Sequence, residues 1–226
     1  MKRFLRYILI YIPISLILLS IIWVVLLKWV PVYYTPLMAI RSIEYRNDPD
    51  FKSTKNWKSL DEISNKMVYA VIASEDNRFE EHNGFDFIEI KNAINDSKKG
   101  KRLRGASTIS QQTAKNVFLF PGRSWIRKGL ECYFTLLIEW IWGKERIMEV
   151  YLNVAETGKG LEGVEAAAQK YFKKSASKLN SYESSLIAAS LPNPLKRNPA
   201  KPTNYMIKRA SQIRSLMNKI ALPEWK

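Results

Sequence analysis

Cysteine is almost missing from this 226-residue chain: Cys132 stands alone. No intrachain disulfide can therefore staple the fold, whatever the redox compartment. Cys132 falls in an apolar stretch with helical spacing, where a small core residue is expected rather than a reactive thiol. His82 is the only histidine. No glycine-rich phosphate loop, internal repeat or convincing strand pattern interrupts the chain. Acidic residues are also scarce: 21 Asp and Glu stand against 36 Lys and Arg, a net charge of +15. For a soluble chain that surplus would point to nucleic acid.

Charge itself is absent from one long stretch, and this changes the reading of the surplus. Tyr7–Leu27 holds 21 residues without an ionisable charge of the Lys, Arg, Asp or Glu type. As a helix it would be roughly 31 Å long, enough to cross a bilayer. Pro13 and Ser15 interrupt it, which membrane helices tolerate. Lys2, Arg3 and Arg6 precede it and only Lys28 follows closely, so the positive-inside rule puts the N-terminus in the cytoplasm. A cleaved signal peptide is the competing reading. No small-x-small site follows the run, and Trp29-Val-Pro-Val-Tyr-Tyr34 would make a poor one. The expected organisation is a cytoplasmic end at 1–6, a signal anchor at 7–28, a membrane-proximal segment at 29–59 and a main domain at 60–226. An exported basic domain meets anionic lipid head groups, not nucleic acid. The cluster Lys98-Lys-Gly-Lys-Arg-Leu-Arg104, five cations in seven positions, is either a solvated loop or a funnel for an anionic substrate.

Downstream the apolar period is helical. Leu60–Ser74 carries Ile63, Met67, Val71 and Ile72 as a stripe and delivers Glu75 at its end. Asp86–Lys98 shows Phe87, Ile90 and Ile94 on one face. Ser107 or Thr108 is a natural N-cap for a helix through Asn116. Helices are further predicted over Trp125–Trp142, Lys144–Asn153, Gly163–Phe172, Tyr182–Leu191 and Thr203–Ile220. Asn180 and Glu183 form a capping box, and Pro192 stops the helix it opens. The fold class is all-α.

Four short segments carry the chemistry. Ser74-Glu-Asp-Asn-Arg-Phe-Glu-Glu-His-Asn-Gly84 places Glu75, Asp76, Arg78, Phe79 and His82 together. Gly105-Ala-Ser-Thr-Ile-Ser-Gln-Gln-Thr-Ala-Lys-Asn116 follows, then Arg127-Lys128-Gly-Leu-Glu131, then Tyr151-Leu-Asn153. In this order and spacing they resemble the motif set of family 51 glycosyltransferases, the monofunctional biosynthetic peptidoglycan transglycosylases, over about Leu60 to Pro199. That resemblance implies a lysozyme-like helical fold with a smaller membrane-proximal subdomain. It also implies polymerisation of lipid II into β-1,4-linked glycan, with inversion and release of polyprenyl pyrophosphate. Thr135 stands where the family usually has Ala, and Ala106 where Gly is frequent.

Such a displacement needs a base for a weak hydroxyl nucleophile and cations for a departing pyrophosphate. The resemblance assigns Glu75 as the base and Glu131 as the second carboxylate, on the pyrophosphate side. Lys115, Arg123, Arg127 and Lys128 would meet phosphate oxygens, and Ser107, Gln111, Gln112 and Asn116 would line the cleft. Gln111 and Gln112 point about 100° apart on a helix, so at most one faces substrate. Arg78 and Phe79 would shape the site, and His82 would belong to its framework. No metal ligand set is assigned; a divalent cation, Mg²⁺ or Mn²⁺, at the pyrophosphate is left open. Expected partners are lipid II, the growing strand, the inner (cytoplasmic) membrane with the domain on its periplasmic side, and cell-division or wall-synthesis proteins. Too few residues remain for a penicillin-binding transpeptidase domain, so no peptide cross-linking is expected. Two other readings are a lysozyme-like lytic enzyme and a silent binder of lipid II.

Overall fold

In a stretch with no charge and almost no polar side chain, the helix is the conformation that satisfies every backbone polar group internally. α1 accordingly runs over Tyr7–Leu26, long and apolar enough to cross a membrane. The structure, a computed structural model, describes residues 7–49, 51–100, 105–122, 124–220, 223 and 225. Lys2, Arg3 and Arg6, which set the expected orientation, lie outside these, as do residues 101–104 of the basic cluster.

The rest is helical, with a small sheet. α2 is Pro36–Glu44, α3 Asn65–Glu75, α4 Phe87–Lys98, α5 Ile109–Phe118, α6 Trp125–Ile141 and α7 Gly143–Val154. α8, Val164–Ala167, continues as a π-helical turn over Ala168–Phe172; α9 is Ser181–Ser190 and α10 Asn204–Met217. Helix ends follow their chemistry. Asp86, Thr108, Ser124, Asn180 and Thr203 each accept a backbone N–H at the start of a helix, satisfying donors that no helical carbonyl can reach.

Two expectations need correction. The predicted helix from Leu60 is broken: Leu60–Glu62 forms a 3₁₀ turn held by a Ser59–Glu62 capping box, and Ile63 is extended. Ser64 then caps α3. The absence of strands also fails. β1 (Thr54–Lys55), β3 (Leu161–Glu162) and β2 (Glu156–Gly158) form a sheet in that order, β1–β3 parallel and β2–β3 antiparallel. Strands of two or three residues are too short to show alternation.

Met67, Val71, Ile72, Ile109, Ile147, Leu152, Ile187 and Ile213 meet in one core. α3, α9 and α10 pack on one another, and α5 packs on α6 and α7. Val24 of α1 is fully buried in this same core. Trp23 sets its edge on Phe118, 5.4 Å between centroids, and Phe118 stacks on Phe134 at 4.4 Å. Carbonyls at the end of α1 are taken by the domain: Trp142 Nε1 donates to Val24 O (2.7 Å), and Arg146 Nη2 to Leu27 O (2.9 Å) and Val30 O (2.6 Å). The apolar helix is thus packed onto the domain and not merely tied to it.

A chain beginning at Tyr34 should lose the burial of Val24 and leave the Trp142 N–H without its acceptor. Its melting temperature should fall by roughly 5–10 °C in detergent, as for the loss of a buried side chain and a hydrogen bond. An unchanged melting temperature would show that α1 adds nothing to the domain.

Candidate active site

Glu75 is the last residue of α3, and Asp76 caps the helix behind it. Their side chains serve different ends. Asp76 is buried and accepts the Ile109 backbone N–H at the start of α5 (3.0 Å). His82 Nε2 lies 2.9 and 3.1 Å from its two oxygens. A carboxylate can only accept here, so the histidine donates. Lys144 in turn donates to the His82 carbonyl (2.5 Å) and sits 4.5 Å over the ring of Phe79. His82 is therefore framework, as is Phe79, which is fully buried and can act on the site only from beneath. Arg78 pairs with Glu81 (2.7 Å) and lies 3.6 Å from Asp86, holding the loop against the start of α4.

Glu75 faces the other way, into a cleft of about 410 Å³ lined by Ser74, Asn77, Asp86, Ser107 and Arg209, among others. Its Oε1 accepts from Ser74 Oγ (3.0 Å) and its Oε2 from Gln112 Nε2 (3.2 Å). Loss of hydration raises its pKa above the ordinary carboxylate value. The Gln112 and Ser74 hydrogen bonds and the Arg209 charge oppose this, and Asp76 adds to it. Part of the residue remains open to the cleft, so a partly desolvated carboxylate confronts whatever binds there.

α5 settles which glutamine meets Glu75. Thr108 Oγ1 accepts the Gln111 N–H (3.2 Å) and Gln111 Oε1 accepts the Thr108 N–H (3.1 Å). Gln111 is thus buried in a capping box, and Gln112 turns to Glu75. Thr108 Oγ1 also donates to Gly84 O (2.6 Å). Gly84 has φ +89°, and a Cβ there would lie 2.8 Å from Thr135 Cγ2, so only glycine fits this crossing. Thr135 itself donates to the Glu131 carbonyl (2.7 Å), which is how the core takes its hydroxyl.

One turn beyond Gln112, Lys115 lines a second recess of about 330 Å³ with Leu37, Asn116, Leu119, Pro121, Gly122 and Arg127. Burial lowers its pKa; the nearby Glu131 raises it, Arg127 and Lys128 lower it, and Glu75 raises it slightly. The amine is therefore within electrostatic reach of both carboxylates. Glu131 is buried, and both its oxygens are taken, Oε2 by Arg127 (2.8 Å) and Oε1 by Lys128 (2.5 Å). Arg123 lies outside the described residues.

Among the described residues, two donor sets bear on a metal. Ligand atoms of Asp76, His82 and Asp86 lie within 4.8 Å of one another. The carboxylates and His82 Nε2 are already committed, to the Asp76–His82 bond, to the Ile109 and Glu89 N–H groups and to Arg78, and His82 Nδ1 alone is left without a partner among the described residues. At the cationic recess, the lone pairs of Glu131 point at Arg127 and Lys128. As bonded here, neither set offers a divalent ion a group of free ligands.

The transglycosylase family profile matches residues 43–218. The chain belongs to the transglycosylase family. It is 56% identical to a biosynthetic peptidoglycan transglycosylase of Bacteroides thetaiotaomicron, covering 96% of this chain and 88% of that one. Proteins of the same name from Bdellovibrio bacteriovorus and Caulobacter vibrioides are 55% and 48% identical, covering 89% and 94% of this chain and 80% and 90% of theirs.

The structure adds two residues to the site of this transglycosylase. Arg209 of α10 lines the Glu75 cleft and donates to Ser74 O (3.3 Å). Nothing near it in sequence marks it; only the packing of α10 on α3 brings it in. Tyr151 donates to Gln112 Oε1 (3.3 Å), and it belongs to the quoted Tyr151-Leu-Asn153 segment. Asn153 of that segment is structural. It exchanges hydrogen bonds with the Lys58 backbone, both at 2.8 Å. Ser175-Ala-Ser-Lys178 has the Ser-x-x-Lys spacing of a penicillin-binding nucleophile. Here, however, it is a surface turn in which Ser175 bonds Ser177 (2.6 Å) and Lys178 is exposed.

Asp76→Ala should strand the buried His82 and Ile109 donors and lower unfolding free energy by about 2–4 kcal/mol, read from the denaturant midpoint. Glu75→Ala should cost little by comparison. Equal midpoints for Asp76→Ala and the parent would refute the framework role.

Proposed function

We propose that this transglycosylase polymerises lipid II, with Glu75 as general base and the Lys115–Arg127–Lys128 face as the pyrophosphate clamp. The observation that supports it best is a desolvated, partly open carboxylate held by Gln112 of α5, with the Lys115 amine one turn further along that helix. Glu75 takes the proton of the acceptor 4-hydroxyl as its oxygen bonds to C1 of the donor sugar. The C1–O bond to pyrophosphate breaks, its electron pair leaves with the phosphate, and the new link is β-1,4. A carboxylate with a raised pKa is a stronger base than an exposed one. Pyrophosphate is a good leaving group without protonation, so cations suffice on the other side. Glu131, bound by Arg127 and Lys128, holds those two cations in place and keeps them from repelling one another. Arg123 joins this clamp in the reading, as do Ser107 and Asn116 as polar contacts.

We place the active domain on the outer face of the cytoplasmic membrane, from the cations ahead of α1. Exposed Trp125, Ile126, Leu130 and Trp140 of α6, the helix on which α1 packs, support immersion of this face in lipid. The basic cluster at 98–104 would add attraction to anionic head groups.

Purified lipid II is the test. The parent should make polymer; Glu75→Gln should bind lipid II but polymerise it roughly 10²-fold or more slowly. Near-normal turnover in that variant would sink the assignment. Cleavage of finished glycan without polymer would mark a lytic enzyme, and neither activity a binder.

The acid limb of the rate profile should lie above the ordinary carboxylate range, because Glu75 must lose its proton to act. Arg209→Gln removes a charge that favours the ionised form, so this limb should move to higher pH. The rate loss should be larger at pH 6 than at pH 8. An unmoved limb would show that Arg209 does not act on the base.

A further inference from the structure

Tyr151 is fully buried in the last turn of α7, and among the described residues its hydroxyl has one hydrogen-bond partner, Gln112 Oε1 at 3.3 Å. The same amide gives its Nε2 to Glu75 Oε2 at 3.2 Å. An amide side chain can turn over and exchange its oxygen and nitrogen. Turned over, Gln112 would set its oxygen against the Glu75 carboxylate and its NH₂ against the tyrosine hydroxyl. The Tyr151 hydroxyl could accept from that NH₂, but its own buried proton would then lack an acceptor among the described residues, so the tyrosine opposes this state.

We propose that Tyr151 is a positioning residue for glycosyl transfer, locking the Gln112 amide so that its N–H₂ orients the Glu75 carboxylate. This rests on the reading of Glu75 as the base. Burial pushes the Tyr151 pKa well above its ordinary value, and the charges of Glu75 and Asp76 push it further. The phenol therefore stays a donor throughout the working pH range. Gln112 itself cannot titrate, so the lock persists whether Glu75 is charged or not. The other charged groups facing Glu75 are Asp76 on its own turn, Arg209 on α10, Lys115 on α5, and Asp86 and Glu89 at α4.

Tyr151→Phe keeps the ring and removes only the donor. With purified lipid II its kcat should fall about tenfold while KM stays within about twofold, since substrate contacts are untouched. The acid limb of its rate profile should move to higher pH, because an amide free to turn over holds the Glu75 anion less well. Gln112→Ala should show the same two changes. Adding Tyr151→Phe to Gln112→Ala should then cost nothing more, because the tyrosine acts only through that amide. Additive losses in the double variant would overturn the proposal, as would a Tyr151→Phe variant that fails to fold or matches the parent in kcat and pH profile. Glu75→Gln, measured alongside, separates this failure from that of the base assignment. If Glu75→Gln retains turnover, the assignment fails; if it is inactive while Tyr151→Phe is normal, only the lock fails.

Discussion

The carboxylate of Asp76 is the constraint on which the site depends. It sits where α3 ends, receives the first free N–H of α5, and holds the ring of His82. Each of these bonds is buried, and a buried donor without a partner costs free energy comparable to the net worth of the bond itself. The end of α3, the loop to Gly84 and the start of α5 therefore cannot shift independently. Glu75 lies one residue before Asp76 and on a different side of the chain. It inherits that fixed position while its own side chain stays free for the cleft. Adjacent carboxylates thus divide, one bonded into the framework and one open to the cleft.

α5 extends this division through its angular period. Gln111 points inward and closes the capping box with Thr108, and Gln112, about 100° around the helix, meets Glu75. Three residues on, Lys115 returns to nearly the same side and reaches the cationic recess. Gln112, which holds Glu75, and Lys115 are therefore one helical turn apart on one backbone. Their separation cannot drift without breaking helical hydrogen bonds, and such fixed geometry is what electrostatic stabilisation of a departing anion needs.

Much of this could be read from the residues. Apolar periodicity located most of the helices, and the capping signatures at Ser107 or Thr108 and at Asn180 located two of their starts. What escaped did so for physical reasons. The break at Ile63 and Ser64 keeps the apolar spacing of a helix, so periodicity runs across it. The strands at 54–55, 156–158 and 161–162 are shorter than any pattern that could mark them. Arg209 is one cation among 36 in the chain, and its relation to Glu75 is created by packing over 130 residues of separation. The choice between Gln111 and Gln112 was bounded by the helical angle but decided by which one Thr108 recruits as a cap.

The apolar helix bears on the clamp through aromatic contacts. Phe118 is the last residue of α5, one turn after Lys115. Its ring lies between Trp23 of α1 and Phe134 of α6, and Phe134 is three residues beyond Glu131. α1 therefore touches the two helices that bear the clamp at the point where they meet. The bonds from Trp142 and Arg146 to Val24, Leu27 and Val30 fix its height against the domain as well as its contact. With α1 across a bilayer, Lys115 and Glu131 are held at a set depth relative to the lipid surface. A substrate whose pyrophosphate lies at that surface would meet the cations without lifting its lipid tail. The same aromatic packing that buries part of α1 thereby fixes the position of Lys115 and Glu131 relative to that helix.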